Sequence, residues 1–245
     1  MKKKNIVLAF SGGLDTTFCA VWLNTKQEYN VHAIAIDTGG FTNEDLAQIE
    51  QRAELAKVAS FEIIDGKTSL YEMCIKNLVY GNVLKNGTYP LSVSAERVVQ
   101  AILIAEKAKE LGINAIAHGS TGAGNDQVRF DMLIDILLPG AEIITPVRDL
   151  KLSRDQEIKF LNDQGINIEF HQPMYSVNKG IWGTSVGGKE TLTSRLPLPE
   201  EAWPTPVTKT GSEEIVLGFV KGELKSVNGV LFPNSVVAIN NLQSI

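Results

Sequence analysis

Seven consecutive residues, Ser11-Gly12-Gly13-Leu14-Asp15-Thr16-Thr17, combine two glycines with three hydroxyls and one carboxylate. They follow the apolar run Ile6-Val7-Leu8-Ala9-Phe10 and precede a segment with apolar residues at helical spacing. Glycines at a strand-to-helix turn let the backbone approach a ligand closely, and the amides entering the helix point at an anion, helped by the helix dipole. Ser11, Thr16 and Thr17 add donors without adding charge, so the pattern predicts a phosphate cradle. The Gly-Lys-Ser/Thr of a Walker loop is missing, and Asp15 stands where an anion repels phosphate unless it holds a metal or the loop itself. Ile34-Ala35-Ile36-Asp37-Thr38-Gly39-Gly40 ends a second apolar run in the same way, where backbone near Ile36 can read adenine.

A second polar segment runs from Ala117-His118-Gly119-Ser120 through Thr121, Gly122, Ala123, Gly124, Asn125, Asp126, Gln127 and Val128 to Arg129-Phe130. Thr121, Asn125, Asp126 and Arg129 are suited to a zwitterionic amino acid, the carboxylate facing its α-amine and the guanidinium or amides its α-carboxylate. His118 reads as a loop histidine anchored to backbone rather than as a proton carrier. No Ser-His-Asp or Cys-His arrangement stands out.

These loops need a rigid frame. Residues 5–10, 31–37, 61–65, 115–117 and 143–145 read as strands, alternating with helices at 15–25, 43–57, 70–83, 95–111 and 153–164. That alternation predicts an α/β fold with a doubly wound parallel sheet. Gly112 and Gly165 follow two of the helices, where a left-handed C′ residue commonly stops the helix. Beyond Gly165 the chain turns to short runs rich in Gly, Pro and Ser, so a first domain is expected over 1–165 and a second over 166–245. In the second, 214–220 and 224–232 read as strands and 234–242 as a helix.

The chain has 245 residues, of which 44% are apolar and 21% charged, as in an ordinary globular protein. A net charge of −5, from 23 basic and 28 acidic residues, gives no general electrostatic reason to expect nucleic acid or an anionic membrane as partner. Met1-Lys2-Lys3-Lys4 before an apolar run has the look of a signal peptide, but the run is too short and leads into the glycine turn. Cys19 and Cys74 lack metal spacing and are expected to be reduced structural thiols of a cytoplasmic protein.

On the Ser11–Thr17 loop the chain resembles the N-type ATP pyrophosphatases, which cut ATP between the α- and β-phosphates and pass an adenylate to an acceptor. With Gly87-Thr88-Tyr89-Pro90-Leu91-Ser92-Val93-Ser94 and the run from Tyr175 to Ser185 in order and spacing, it resembles the argininosuccinate synthase family over nearly its whole length. The stretch from Thr121 to Phe130 is the most specific part. The resemblance implies an adenine nucleotide alpha hydrolase-like, Rossmann-like domain followed by part of an α+β synthetase domain. It implies that ATP meets Ala9, Phe10, Ser11, Gly12, Gly13, Leu14, Asp15, Thr16, Thr17, Ile36 and Gly119. Citrulline would meet Tyr89, Ser94, Asn125, Arg129, Ser176 and Ser185, and aspartate Thr121, Asn125 and Asp126. Asp15, Asp126 and Arg129 are the candidates for catalysis, with Mg²⁺ accompanying ATP and a homo-oligomer, a tetramer in the family, as the assembly.

The chain departs from the family pattern at Ala123, where a lysine is usual, at Asn178-Lys179-Gly180, where the family is more acidic, and at Thr184, where arginine is frequent. Family members continue for well over a hundred residues more, including a glutamate and a tyrosine at the citrulline pocket. The chain is therefore expected to bind ATP but to be impaired in synthesis unless another polypeptide supplies that part. Another adenylating pyrophosphatase, tRNA-modifying or amide-forming, and a non-enzymatic nucleotide-binding protein remain the alternatives.

Overall fold

A computed structural model describes residues 3–27, 29–122, 124–170, 174–193 and 195–245. Ala123 and the opening Met1-Lys2 lie outside the described residues. The chain forms two compact units: Met1–Asp37, Phe41–Gly66 and Glu96–His171 make the first, and Thr38–Gly40, Lys67–Ala95 and Gln172–Ile245 the second.

In the first unit, β1 (Lys4–Ala9), β2 (Tyr29–Asp37), β3 (Ser60–Asp65), β4 (Ala115–His118) and β5 (Glu142–Ile144) form one sheet in the order β3-β2-β1-β4-β5. Every pairing is parallel. The predicted α/β class and parallel sheet are what the chain adopts. Strands buried on both faces explain why these runs are continuously apolar rather than alternating. Ile6, Leu8, Val31, Ala33 and Ala117 join one core with Leu14 and Phe18 of α1 (Leu14–Thr25), Ile49 and Ala53 of α2 (Asn43–Leu55), and Leu161. Val7, Ile34, Ile36 and Ile116, one residue out of phase, join the opposite core with Ile104 and Phe130.

The helix ends follow local chemistry. Thr42 and Asp45 exchange hydrogen bonds in a capping box at the start of α2. Gly112 and Gly165 sit at φ +65° and +80° just after α5 (Ser92–Glu110) and α8 (Arg154–Asp163), as their positions in the sequence predicted.

The expected helix over 70–83 is real but irregular: α3 (Lys67–Leu70), a π-helical turn (Tyr71–Ile75) and α4 (Lys76–Tyr80). Two further helices were not anticipated, α6 (Asp126–Leu137) and α7 (Pro146–Leu150). Polar Asn125, Asp126, Gln127 and Arg129 hid the first turn of α6. Phe130 and Ile134, one turn apart and buried, are the amphipathic signal that went unused.

In the second unit, β6 (Tyr175–Gly180) and β7 (Gly183–Gly188) form an antiparallel hairpin. β8 (Leu217–Val220), β9 (Glu223–Val227) and β10 (Val230–Leu231) form a three-stranded antiparallel sheet. The single strand expected over 224–232 is thus two strands, divided at Asn228-Gly229, both at positive φ. α9 (Ser235–Leu242) begins on Asn234, whose side chain accepts from the Val237 amide. Among the described residues no helix is long and apolar enough to cross a membrane.

Candidate active site

The loop after β1 lies where the sheet order reverses, with β2 on one side of β1 and β4 on the other. In open α/β sheets the crevice beyond the carboxyl ends of the strands at this point is where ligands bind. Gly12 takes φ +69°, and its carbonyl accepts from Arg52 Nη1 at 2.6 Å. Gly13 is the N-cap of α1, and no side chain caps that end, which leaves first-turn amides for an anion.

The hydroxyls divide their work. Ser11 Oγ and Thr16 Oγ1 lie 3.2 Å apart, and Thr16 Oγ1 also accepts from the Ser11 amide at 3.3 Å. Thr17 is wholly buried and donates to the Gly12 carbonyl at 3.4 Å, so it braces the turn from behind. Gly119, just past β4, presses on the same turn: a Cβ there would stand 3.1 Å from Thr16 Cγ2 and 3.2 Å from Asp15 Cβ. Ile36, at the end of β2, is buried with Gly66 packed against it.

The 119–129 segment is held by a polar chain that the sequence reading missed. His118 is 2% exposed. Its Nδ1 accepts from the Ser120 amide at 3.3 Å, so Nε2 carries the proton and donates to Asp131 Oδ1 at 2.8 Å. Burial lowers the His118 pKa against the pull of Asp131, which keeps the ring neutral. Asp131 Oδ2 in turn accepts from Arg148 Nη1 at 2.7 Å. Burial alone would raise the Asp131 pKa, but Arg148 and His118 outweigh it and hold the carboxyl below its usual range. Arg148 also donates to Gln127 Oε1 at 3.2 Å, and Gln127 Nε2 donates to the Gly122 carbonyl at 2.8 Å, closing the chain back onto the loop.

Asp126, in the first turn of α6, accepts from Arg129 Nη1 at 2.7 Å and from Arg97 Nε at 3.2 Å. Arg97, on α5, is a second guanidinium at this carboxylate that sequence reasoning did not find. Nothing in its spacing from Asp126, 29 residues along the chain, marks it. Thr121 and Asn125 are exposed, and Asn125 is the N-cap of α6 with no side-chain cap bond.

The remaining candidates lie in the second unit. The Tyr89 hydroxyl accepts from the Val93 amide at 3.1 Å and from Ser92 Oγ at 3.4 Å, so it caps α5 just ahead of Ser94. Asn178 pairs with Ser185 across the hairpin, and Ser176 lies two residues from Asn178, which puts Ser176 and Ser185 on one face. Trp182 Nε1 donates to the Pro90 carbonyl at 2.8 Å, and Ile181 N to the Thr38 carbonyl at 2.9 Å, tying the hairpin to the Tyr89 turn and to Thr38 within the second unit. Tyr89→Phe is expected to lower stability by about 1 kcal/mol through loss of the cap, with ATP affinity unchanged. Urea unfolding beside an ATP titration checks both halves.

The family model of the arginosuccinate synthase N-terminal HUP domain matches residues 5–167. The chain belongs to the argininosuccinate synthase family. It is 39% identical over 225 residues to argininosuccinate synthase of Sulfolobus acidocaldarius, covering 91% of this chain and 57% of that protein. The same enzyme of Xylella fastidiosa is 37% identical over 258 residues, with 99% and 62% covered. That of Methanocaldococcus jannaschii is 37% identical over 226 residues, with 91% and 57% covered. The chain thus spans about three fifths of the length of these argininosuccinate synthases. Among solved structures, a chain titled predicted subunit of tRNA methyltransferase from Methanocaldococcus jannaschii is similar at a TM-score of 0.44 and 20% identity, over 65% of this chain and 74% of that one, too slight a likeness to argue from. The HUP match encloses the Ser11–Thr17 turn, Gly119 and the Asp126–Arg129 pair alike.

Proposed function

We propose that the chain binds ATP on the Ser11–Thr17 turn and adenylates citrulline for condensation with aspartate, giving argininosuccinate, AMP and pyrophosphate. The observation that carries the reading is the uncapped start of α1 at the sheet's switch point, with Gly119 pressed against it. Ala9 to Thr17, Gly119 and the Ile36 backbone would hold the nucleotide. Tyr89, Ser94, Arg129, Ser176 and Ser185 would hold citrulline, Thr121 and Asp126 aspartate, and Asn125 both.

The ureido oxygen of citrulline attacks the α-phosphate and pyrophosphate leaves with the breaking P–O bond. The aspartate amine then attacks the ureido carbon, and AMP departs. Neither step needs a covalent enzyme intermediate, so the residues act by orientation and charge. Arg97 and Arg129 pair with Asp126 and fix the direction of its carboxylate, which would face the ammonium group of the amino acid. Among the described residues no cluster of three or more His, Cys, Asp or Glu side chains could hold a metal ion. Mg²⁺ accompanying ATP would supply charge neutralisation at the phosphates.

We place the domain boundary near Gly165, in keeping with a family match that ends at residue 167. Cytoplasmic residence fits two free thiols, one of them buried. Assembly into a homo-oligomer is read directly by light scattering. The deciding test is AMP production from ATP and Mg²⁺ with citrulline plus aspartate against each alone. AMP formed only with both is the expected result. ATP bound without AMP would reduce the reading to a nucleotide-binding portion of such a ligase.

A further inference from the structure

The peptide that joins Gly12 to Gly13 lies at the centre of the phosphate turn, and a cation stands behind it. Among the described residues every peptide is trans, so the Gly12 carbonyl and the Gly13 amide point in opposite directions. Behind, the carbonyl accepts from Arg52 Nη1 at 2.6 Å and from Thr17 Oγ1 at 3.4 Å. In front, the Gly13 amide donates to Ser11 Oγ at 3.4 Å, a long bond that an anion can replace. Gly12 is buried and Ser11 exposed, so the amide looks toward the open side of the turn.

Glycine on both sides leaves this peptide plane little resistance of its own to rotation. Its orientation has to be imposed from outside, and α2 supplies the means. Arg52 follows Ile49 by three residues, which puts both on one face of the helix, and Ile49 is the residue packed against Gly12. The Arg52 guanidinium lies over the Phe170 ring, with Cζ 5.3 Å from the ring centroid. Phe170 is fixed in turn: its side chain packs on the core that holds Leu14 and Ile49, and its carbonyl accepts from Arg154 Nη2 at 2.9 Å. A flat face on an anchored ring and one edge on a carbonyl leave the guanidinium little freedom. Gly12, Arg52 and Phe170 are far apart in the chain, and no motif joins them.

We propose that Arg52 is a positioning residue for phosphate recognition: it holds the Gly12 carbonyl inward and thereby aims the Gly13 amide at the anion. The inference deepens the ATP reading and rests on it. A positive charge at the carbonyl end also polarises the peptide, which makes the amide at the other end a stronger donor. Arg52 acts through the backbone and needs no contact with the nucleotide. Its effect therefore falls on the phosphates and not on the adenosine half of the ligand. Lysine at this position keeps the charge and can reach a carbonyl, but it has no planar fork to lay on Phe170.

The experiment titrates the native chain, Arg52→Met, Arg52→Lys and Phe170→Leu with ATP and with adenosine, beside melting curves without ligand. Arg52→Met, which keeps a long apolar stem, is expected to weaken ATP by about tenfold or more, the scale of one hydrogen bond to a charged donor. Adenosine should bind all four proteins within about twofold. Arg52→Lys should recover part of the loss, and Phe170→Leu should fall between the native chain and Arg52→Met. ATP bound by Arg52→Met within about threefold of the native chain overturns the proposal. So does equal weakening of ATP and adenosine, or an Arg52→Lys protein no better than Arg52→Met, since either would make Arg52 a support of the fold alone. A folded native chain that binds no ATP would overturn the nucleotide reading itself and the positioning role with it. If Arg52→Met does not fold, Arg52→Lys and Phe170→Leu carry the same comparison of the two ligands.

Discussion

Gly12→Ala is expected to weaken ATP binding by about tenfold to a hundredfold in a chain that still folds. Gly12 sits at φ +69°, where an alanine is strained by roughly 1–2 kcal/mol. Space is short as well: the new methyl would stand 3.0 Å from Ile49 Cγ1 and 3.2 Å from Ile49 Cα. Ile49 is 4% exposed in the core of α2, and α2 is tied to the same residue by Arg52, so the helix cannot back away without losing that 2.6 Å bond. The strain is therefore relieved in the turn, and the amides leave their aim on the anion. Calorimetric titration with ATP, beside a melting curve, separates the lost aim from unfolding. Affinity within about threefold of the native chain would mean that phosphate does not rest on this turn.

Asp126→Ala is expected to abolish AMP formation that depends on aspartate, a loss of about a hundredfold or more, with ATP affinity nearly unchanged. The carboxylate joins Arg129 at 2.7 Å and Arg97 at 3.2 Å, and its removal leaves two guanidiniums facing each other across an emptied position. Both arginines keep about a quarter of their side-chain surface open to water, so the stability penalty is screened and small. The functional penalty is not screened, because a substrate ammonium would lose this carboxylate and meet positive charge instead. Aspartate-dependent AMP release measured against ATP titration distinguishes the two. Retention of release within about threefold would take Asp126 out of the amino-acid site.

The frame of the first unit was legible because its signals are local and repeated. Five apolar runs at strand length, separated by helical periodicity and closed by Gly112 and Gly165, could form little else than a parallel sheet wrapped on both faces. The phosphate turn was legible for the same reason: its seven residues are contiguous. The support beneath it was not. His118 reaches Asp131, Asp131 reaches Arg148, and Asp126 reaches Arg97 across separations that no spacing rule links. α6 was overlooked because the polar start that suits it to a binding loop hides the apolar stripe of Phe130 and Ile134. The β6–β7 hairpin escaped because Gly180, Gly183, Gly187 and Gly188 dilute its alternation.

The strand order has a kinetic side. β1 lies between β2 and β4, and Leu8 finds Ala117 only after more than a hundred intervening residues have been made. The far wall of the phosphate turn, Gly119, comes with β4. Pairings of such long range close loops at high entropic cost and form late in folding. A growing or refolding chain would thus display the glycine turn long before it could hold anything there. Nucleotide would be recognised only by the nearly finished unit, slowing its unfolding far more than it hastens its formation.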